Sequence, residues 1–136
     1  EYIKEYYENG QLRTEGNLKD GKRVGFWKWY YENGQLIEEG NVKDEMKEGL
    51  WKWYYENGQL RTEGKIGKQG VREGLWKGYH ENGQLVSEGN MKYGKREGFW
   101  KEYHENGQLE WEGNFKEGEL ISEKCWNENG KLLDCE

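Results

Sequence analysis

The chain has 136 residues and a formal net charge of -6, and its composition excludes several classes of protein. Aliphatic residues are sparse, whereas 8 Trp, 10 Tyr and 3 Phe supply most of the apolar surface, which is too much aromatic content for a disordered chain. With 21 glycines and no long apolar run, the sequence offers no candidate for a transmembrane helix, a coiled coil or a compact helical bundle.

The net charge also bears on the choice of partner. Non-specific binding to nucleic acid or to anionic lipid headgroups needs clustered lysine and arginine, whereas acidic residues are in excess here. We therefore expect no nucleic-acid partner, and the charge gives no support to contact with a membrane.

The tripeptide Glu-Asn-Gly recurs along the chain at steps of 23 to 25 residues. Its glutamates are Glu8, Glu32, Glu56, Glu81, Glu105 and Glu128. Gly-(Phe/Leu)-Trp precedes the tripeptide in four units, and Gln-Leu and Glu-Gly follow it. This self-similarity predicts one array of about six 24-residue repeats spanning 1–136. The first unit begins partway through the pattern, and the last, 117–136, lacks Gly-x-Trp, as expected of a C-terminal capping unit.

Each unit predicts two short strands joined by a tight turn. Asn-Gly between aromatic and β-branched runs is a strong hairpin signal, because glycine accepts the positive φ that the turn needs. Further turns are predicted between the Asn-Gly turns, at Asp20-Gly21, Asp44-Glu45, the Gly67 to Gly70 segment, Tyr93-Gly94 and Glu117-Gly118. The period leaves no room for a helix in each unit. The sequence therefore predicts an all-β fold, an elongated single-layer antiparallel β-meander of about twelve strands.

The register of the hairpins follows from the turn type. If Glu-Asn-Gly forms a type I turn closed by a glycine bulge, the residue before Glu pairs with the Gln after Gly. Further out this register predicts four cross-strand pairs, Glu5 with Arg13, Trp29 with Ile37, Trp53 with Arg61, and Gly78 with Val86. A two-residue loop would instead place Trp29 opposite Glu38 and Trp53 opposite Thr62, which are less complementary pairs.

The period of two divides the side chains between two faces. One face recurs almost unchanged, and we expect it to be buried; it carries Phe26, Lys28, Tyr30, Leu36, Gly40 and Val42, and later Leu50, Tyr54, Leu60 and Ile66. The opposite face varies from unit to unit; it carries Trp27, Trp29, Tyr31, Gln35, Ile37 and Glu39. Variation on a shared scaffold is typical of a recognition surface, although sequence drift on the wetter side of a sheet explains it equally well.

The segment 49–60, Gly-Leu-Trp-Lys-Trp-Tyr-Tyr-Glu-Asn-Gly-Gln-Leu, resembles the MORN repeat in its bacterial variant form, and the likeness covers nearly the whole chain. The resemblance implies an elongated, twisted meander that serves protein contact or scaffolding beside a membrane. Bacterial members are commonly labelled as antitoxins paired with a toxin, so it also implies a toxin as one candidate partner. It assigns no residue to such a contact.

An enzymatic site needs convergent catalytic groups, and the sequence offers few. His80 and His104 are the only histidines, and two strand spacings place their Cα atoms roughly 9 to 10 Å apart, too far for one tetrahedral metal. Ser87 and Ser122 have no base positioned beside them. Glutamates at the repeat spacing, with lysines such as Lys28 between them, indicate a solvated ladder rather than an acid and base pair. We expect a non-enzymatic protein with no cofactor and no metal.

The tryptophans allow two interpretations. Trp27, Trp51, Trp76 and Trp100 are expected mainly as core, because large rings supply the apolar area that the chain lacks elsewhere. The alternative is an aromatic platform for a glycan, a cell-wall ligand or a quaternary ammonium group.

The primary hypothesis is a scaffold for protein-protein interaction. Its binding residues are predicted on the variable face, at Trp29, Ile37, Trp53 and Arg61, with Tyr31 and Tyr55 beside them. Strands left open at the ends of the sheet would also permit edge-to-edge self-association.

Cys125 and Cys135 predict one disulfide in the C-terminal hairpin, at a Cα separation of about 7 Å. They show no metal-ligand spacing. A disulfide favours a secreted, periplasmic or cell-surface location over the cytoplasm.

Overall fold

The computed structural model describes all 136 residues, which form one antiparallel sheet with its strands in chain order. The twelve strands are β1 Tyr2–Tyr6, β2 Leu12–Lys19, β3 Lys22–Tyr30, β4 Leu36–Lys43, β5 Met46–Tyr54, β6 Leu60–Ile66, β7 Arg72–Tyr79, β8 Leu85–Lys92, β9 Lys95–Tyr103, β10 Leu109–Lys116, β11 Glu119–Trp126 and β12 Leu132–Leu133. One turn of 3-10 helix, Lys68–Gly70, joins β6 to β7. The predicted all-β meander is therefore confirmed. Nothing helical in the chain is long or apolar enough to cross a membrane.

The Glu-Asn-Gly turns have the predicted geometry. In the β3–β4 hairpin the Gly34 N–H donates to the Tyr31 carbonyl at 3.0 Å, and the Tyr31 N–H donates to the Gln35 carbonyl at 2.7 Å. Gly34 has a φ of 92°, the left-handed conformation of a glycine bulge. These turns lie along one border of the sheet, called the Asn-Gly edge below.

In the first five Asn-Gly hairpins the predicted register is wrong beyond the first two pairs, whereas the C-terminal hairpin keeps it, with Cys125 paired to Leu133. Tyr30 pairs with Leu36 as expected, but Trp29 then pairs with Glu38, because Ile37 is the extra residue of a β-bulge. Arg61 is bulged in the same way, so that Trp53 pairs with Thr62. The pairs predicted for the other hairpins fail for the same reason, since Glu5 pairs with Thr14 and Gly78 with Ser87.

A second bulge lies at each complete Gly-x-Trp element. Gly40 pairs with Trp51, whereas its neighbour Asn41 pairs with Glu48, so Gly49 and Leu50 have no partner on β4. Gly49 takes a φ of 75°, which only glycine adopts without strain. Each unit therefore carries two irregularities that interrupt simple alternation.

The face that was predicted to be buried is divided by the bulge at Ile37. Val42 and Ile66 of that face are buried as expected, but the exposed fraction is 47% for Phe26 and 54% for Leu50, for which the prediction is wrong. Trp51 and Trp27, predicted on the opposite strand face, are buried, with exposed fractions of 0% and 1%. The core residues are Trp27, Val42, Trp51, Ile66, Trp76 and Trp100. We call their side of the sheet the Trp face, and the opposite side, with Tyr30, Tyr54, Tyr79 and Tyr103, the Tyr face.

The ring of each core tryptophan packs against the preceding hairpin. The ring of Trp51 lies over Gly40, where an added Cβ would stand 2.3 Å from Cδ2, and its Nε1–H donates to the Asn41 carbonyl at 2.9 Å. Burial of one such side chain contributes about 4 to 6 kcal/mol at the usual coefficient for apolar area. The single-layer sheet is thus stabilised mainly by rings lying on glycine backbone.

Candidate interaction surfaces

A ladder of indole rings runs across the Trp face. Its rungs are Trp27, Trp29, Trp51, Trp53 and Trp76, with successive ring centroids 5.6 to 6.2 Å apart. The ladder ends at Trp76, because Gly78 occupies the position held by Trp29 and Trp53 in the two units before it. Trp29 and Trp53 are therefore half-buried parts of the ladder rather than free surface side chains.

Cationic side chains cover the outer ring faces of the core tryptophans. The Lys47 Nζ lies 4.7 Å from the centroid of Trp51, and the guanidinium of Arg72 lies 4.4 Å from that of Trp76. Arg23 and Arg96 take the same place over Trp27 and Trp100. Glycine backbone on one side and a cation on the other leave these rings no free face for a sugar or an ammonium ligand. The core interpretation of this tryptophan row therefore accounts for its contacts.

The residues predicted to bind a partner lie in different structural settings. Ile37 and Arg61 occupy bulge positions, where Ile37 is half-buried and Arg61 is exposed. Neither is paired with the tryptophan predicted to face it. The structure places Ile37 and Arg61 at the bulges next to the residues that pair with Trp29 and Trp53, and the four residues form no cross-strand pairs with one another.

Tyr31 and Tyr55 belong to a hydrogen-bond ladder along the Asn-Gly edge. The Tyr31 hydroxyl donates to the Tyr54 carbonyl at 2.8 Å, and the Tyr55 hydroxyl donates to the Tyr79 carbonyl at 2.5 Å. Both side chains are half-buried. Each therefore ties one turn to the next unit, a structural role that the sequence pattern did not reveal.

The asparagines of the turns reinforce this edge. The Asn33 Oδ1 accepts the Gln35 N–H at 2.9 Å, and its Nδ2 donates to the Glu56 carbonyl of the next unit at 2.9 Å. Asn9, Asn57 and Asn106 make the same contact to the following unit. Asn82 does not make this contact, so the row of asparagine hydrogen bonds between units is interrupted between the fourth and fifth units.

The histidines offer no catalytic arrangement. His104 replaces a tyrosine of the edge ladder, with Nε2 2.8 Å from the Trp126 carbonyl and Nδ1 3.6 Å from the Glu110 carboxylate. The His80 side chain forms no hydrogen bond, and only its backbone N–H and carbonyl are bonded, within its own turn. The one group of side chains close enough to hold a metal is Glu123 with Cys125 and Cys135, and these cysteines form a disulfide with their Cα atoms 5.4 Å apart. The bridged thiols are not available as ligands.

Tyrosine and glutamate side chains are paired across the Tyr face. The hydroxyls of Tyr79 and Tyr103 donate to Glu63 and Glu88 at 2.7 and 2.6 Å. Burial, followed by the hydrogen bond to the carboxylate, raises the pKa of each of these two phenols to about 12. Hydrogen bonds from Tyr30 and Tyr2 lower the pKa of the Glu15 carboxyl.

Charges alternate in sign along the next row of the Tyr face. Cross-strand pairing places Lys28 between Glu15 and Glu39, and continues in the order Lys52, Glu63, Lys77, Glu88, Lys101 and Glu112. The row is therefore close to neutral over any two strands, as a solvated ladder of opposite charges would be.

Four large apolar side chains are exposed at equivalent positions on the Tyr face. Phe26, Leu50, Leu75 and Phe99, which we call the apolar stripe, have exposed fractions of 47%, 54%, 49% and 59%. All four occupy the middle position of Gly-x-Trp, which is always Phe or Leu here. The stripe was not predicted from the sequence, because Phe26 and Leu50 lie on the face that recurs almost unchanged and was therefore expected to be buried. The signal that could have found it is the tryptophan that follows each of them, because neighbouring residues of a strand face opposite sides and burial of Trp27 and Trp51 exposes Phe26 and Leu50.

Comparison with known proteins agrees with this architecture. The model of the family described as MORN repeat variant matches five segments, 3–20, 23–44, 47–65, 72–93 and 96–117, which together make up most of the chain. No curated protein matches the chain. Repeats of this family are non-catalytic and generally serve as modules that bind proteins or membranes. The chain belongs to the MORN repeat variant family.

Proposed function

We propose that this chain is a non-enzymatic scaffold that binds another protein through the apolar stripe. The observation that supports the proposal is the exposure of Phe26, Leu50, Leu75 and Phe99 at the same position of four successive units. Exposed apolar side chains that recur in register form a patch rather than scattered surface residues, and such patches mark interaction sites. A repeat array presents them as one extended surface.

The area of the stripe suits a protein interface only together with its surroundings. Four aromatic or leucine side chains, each about half exposed, offer on the order of 400 Å2. A stable complex buries about 800 Å2 on each partner, so the partner is expected to contact the flanking charged rows as well.

The charges beside the stripe favour a protein over an anionic membrane. Lys28, Lys52, Lys77 and Lys101 adjoin the stripe on the same strands, but cross-strand glutamates separate them. Attraction to anionic lipid needs uncompensated basic clusters, and the chain as a whole carries a net charge of -6. A protein surface with alternating charges can pair with the lysines and glutamates of this row and leave no charge without a partner.

The test is affinity capture that compares two surfaces of the same chain. The stripe variant carries Leu50→Ser and Leu75→Ser, and it is expected to stay folded because about half of each side chain already faces solvent. The matched control carries Ile37→Ser and Arg61→Ser on the bulges beside Trp29 and Trp53. Circular dichroism and thermal unfolding verify both folds before capture.

The expected result is one partner retained by the intact chain and by the bulge variant, and lost from the stripe variant. Loss from the bulge variant alone would overturn the stripe and return the site to the residues around Trp29 and Trp53. Retention on anionic vesicles with no protein partner would overturn the protein scaffold. A captured toxin would further define the chain as an antitoxin.

A further inference from the structure

A cleft of about 450 Å3 lies at the C-terminal end of the Trp face. Its apolar side is formed by Trp111, Leu133 and the disulfide at Cys125, and its polar side includes Glu102 and Glu110. No lysine or arginine lines it. The Trp111 ring is fixed, since its Nε1–H donates to the Glu123 carboxylate at 2.8 Å and the ring stands edge-on to Phe115 at 6.0 Å.

Comparison of the units shows that this pair of carboxylates replaces an ion pair. In the first unit Glu5 pairs across the strands with Thr14, and the bulged Arg13 reaches the Glu5 carboxylate at 3.5 Å. In the fifth unit Glu102 takes the position of Glu5, and the bulged residue is Glu110. The positions that hold a glutamate and an arginine in the first unit thus hold two glutamates here, both lining the cleft, and like charges at such positions repel each other.

Glu102 and Glu110 do not each have a cationic partner within the cleft. The Nδ1 of His104 lies 3.6 Å from Glu110, while its Nε2 lies 2.8 Å from the Trp126 carbonyl. Glu102 forms no ion pair. The cleft therefore joins an aromatic wall to carboxylates that lack the cation present at the equivalent place in the first unit.

We propose that this cleft binds an arginine side chain of a protein partner, which supplies from outside the cation that Arg13 supplies within the first unit. Glu102 and Glu110 receive the guanidinium N–H groups, since a planar fork matches carboxylate oxygens best. The Trp111 ring packs against the guanidinium plane and the methylene stem. The inference does not rest on the apolar stripe, because the cleft lies on the opposite face of the sheet.

The test uses Nα-acetyl-arginine-N-methylamide as the probe and the indole N–H resonance of Trp111, assigned with Trp111→Phe, as the readout. The neutral isostere Nα-acetyl-citrulline-N-methylamide separates charge recognition from apolar contact. We expect a saturable shift with the arginine probe and none with the citrulline probe. Glu102→Gln with Glu110→Gln is expected to weaken binding at least about tenfold, since charged hydrogen bonds are lost. The matched control Glu5→Gln is expected to leave it unchanged.

A second variant keeps the test decisive if the double variant is unstable. Glu110→Arg gives Glu102 an arginine partner in the fifth unit, as Arg13 is the partner of Glu5 in the first. We expect this substitution to abolish binding of the probe and to raise the midpoint of thermal unfolding. The proposal is overturned if the arginine probe shifts nothing, if the citrulline probe shifts Trp111 equally, or if Glu5→Gln weakens binding as much as the double variant. It is also overturned if Glu110→Arg leaves probe binding intact or lowers the unfolding midpoint.

Discussion

Gly64 and Trp76 are paired across β6 and β7, and the indole lies so close over the glycine that an added Cβ would stand 2.0 Å from Cδ2. Three further pairs share this contact, Gly16 with Trp27, Gly40 with Trp51, and Gly89 with Trp100. The Glu-Gly and Gly-x-Trp elements of the repeat are therefore two halves of one packing unit, held by neighbouring hairpins. A single hairpin has no complete core, which is why such units are stable only in an array.

Gly64→Ala is expected to lower the free energy of unfolding by about 3 kcal/mol, at the upper end of the usual cost of overpacking. The added methyl group would overlap a buried ring that cannot move aside, because the Trp76 Nε1–H is bonded to the Lys65 carbonyl at 3.2 Å. Urea unfolding followed by tryptophan fluorescence measures the change.

Gly78→Ala is the matched control for this prediction. Gly78 also lies within β7, but an added Cβ would stand 3.1 Å from the Ser87 Oγ, a hydroxyl that can rotate away, and 3.8 Å from the Arg61 carbonyl oxygen, an ordinary contact distance. We expect a change within about 0.5 kcal/mol. Equal destabilisation by both substitutions would show that the ring contact is not what makes glycine necessary at position 64.

The strand order was predictable because its signals are local. Asn-Gly and Asp-Gly determine where the chain turns, and the 24-residue period repeats those turns along the array. Even the turn at Asn33-Gly34 has the expected hydrogen bonds. Nothing beyond a few neighbouring residues was needed to deduce a meander.

The faces were not predictable by alternation, because each complete unit contains two bulges. Ile37 adds one residue to β4, and Gly49 with Leu50 adds two to β5 against β4. A one-residue addition exchanges the faces of all side chains beyond it. The bulge at Ile37 therefore moves Val42 to the face opposite Phe26, whereas the two-residue addition at Gly49 and Leu50 leaves the alternation unchanged. Without that bulge, Phe26 and Val42 fall on one face and Phe26 is assigned to the core, so the apolar stripe was missed for a geometric reason.

Asn33→Ala is expected to destabilise the protein by about 1 kcal/mol more than Asn82→Ala, which is the usual net value of one hydrogen bond. Both side chains accept an N–H within their own turn at 2.9 Å, from Gln35 and Gln84 respectively. Only Asn33 also donates to the next unit, at the Glu56 carbonyl. The difference between the two urea midpoints isolates this inter-unit bond. Equal losses would mean that the bond adds nothing to stability.

Glu45→Gly is expected to stabilise the protein by about 0.5 kcal/mol, as the net of two opposing effects. Asp44 and Glu45 have φ angles of 52° and 66°, and the other turns of this kind place Gly21, Gly94 or Gly118 at the second position. Glycine removes the strain of a left-handed glutamate. It also removes the Glu45 carboxylate, which accepts a hydrogen bond from the backbone N–H of Arg23 at 2.9 Å. The loss of that bond offsets part of the gain. Thermal unfolding measures the net effect.

The reciprocal substitution, Gly94→Ala, is expected to cost about 1 kcal/mol, because alanine is strained at the φ of 79° found there. It serves as the control for Glu45→Gly. A loss of stability in both variants would show that the carboxylate contact to Arg23 outweighs the backbone strain at Glu45.

The free energy of unfolding is expected to fall between about pH 10 and pH 12, because the phenols of Tyr79 and Tyr103 have a higher pKa in the folded protein than in the unfolded chain. Their pKa rises from 10.0 to about 12, through burial and then the hydrogen bonds to Glu63 and Glu88. The same causes raise the pKa of Tyr30 and Tyr54 still further. The folded state holds these groups neutral. Their contribution is therefore complete below the unfolded pKa near 10 and is lost as the pH passes through the folded pKa.

Tyr103→Phe is expected to make the free energy of unfolding less steeply dependent on pH in this window, while lowering stability at pH 8 by the loss of the bond to Glu88. Tyr93→Phe is the control, since that side chain is 83% exposed and its hydroxyl forms no hydrogen bond. Urea unfolding over a series of pH values measures the slope, and tyrosinate absorbance follows the phenols directly. A slope unchanged by Tyr103→Phe, or lowered as much by Tyr93→Phe, would mean that the tyrosine-glutamate pairs are not the source of the alkaline transition.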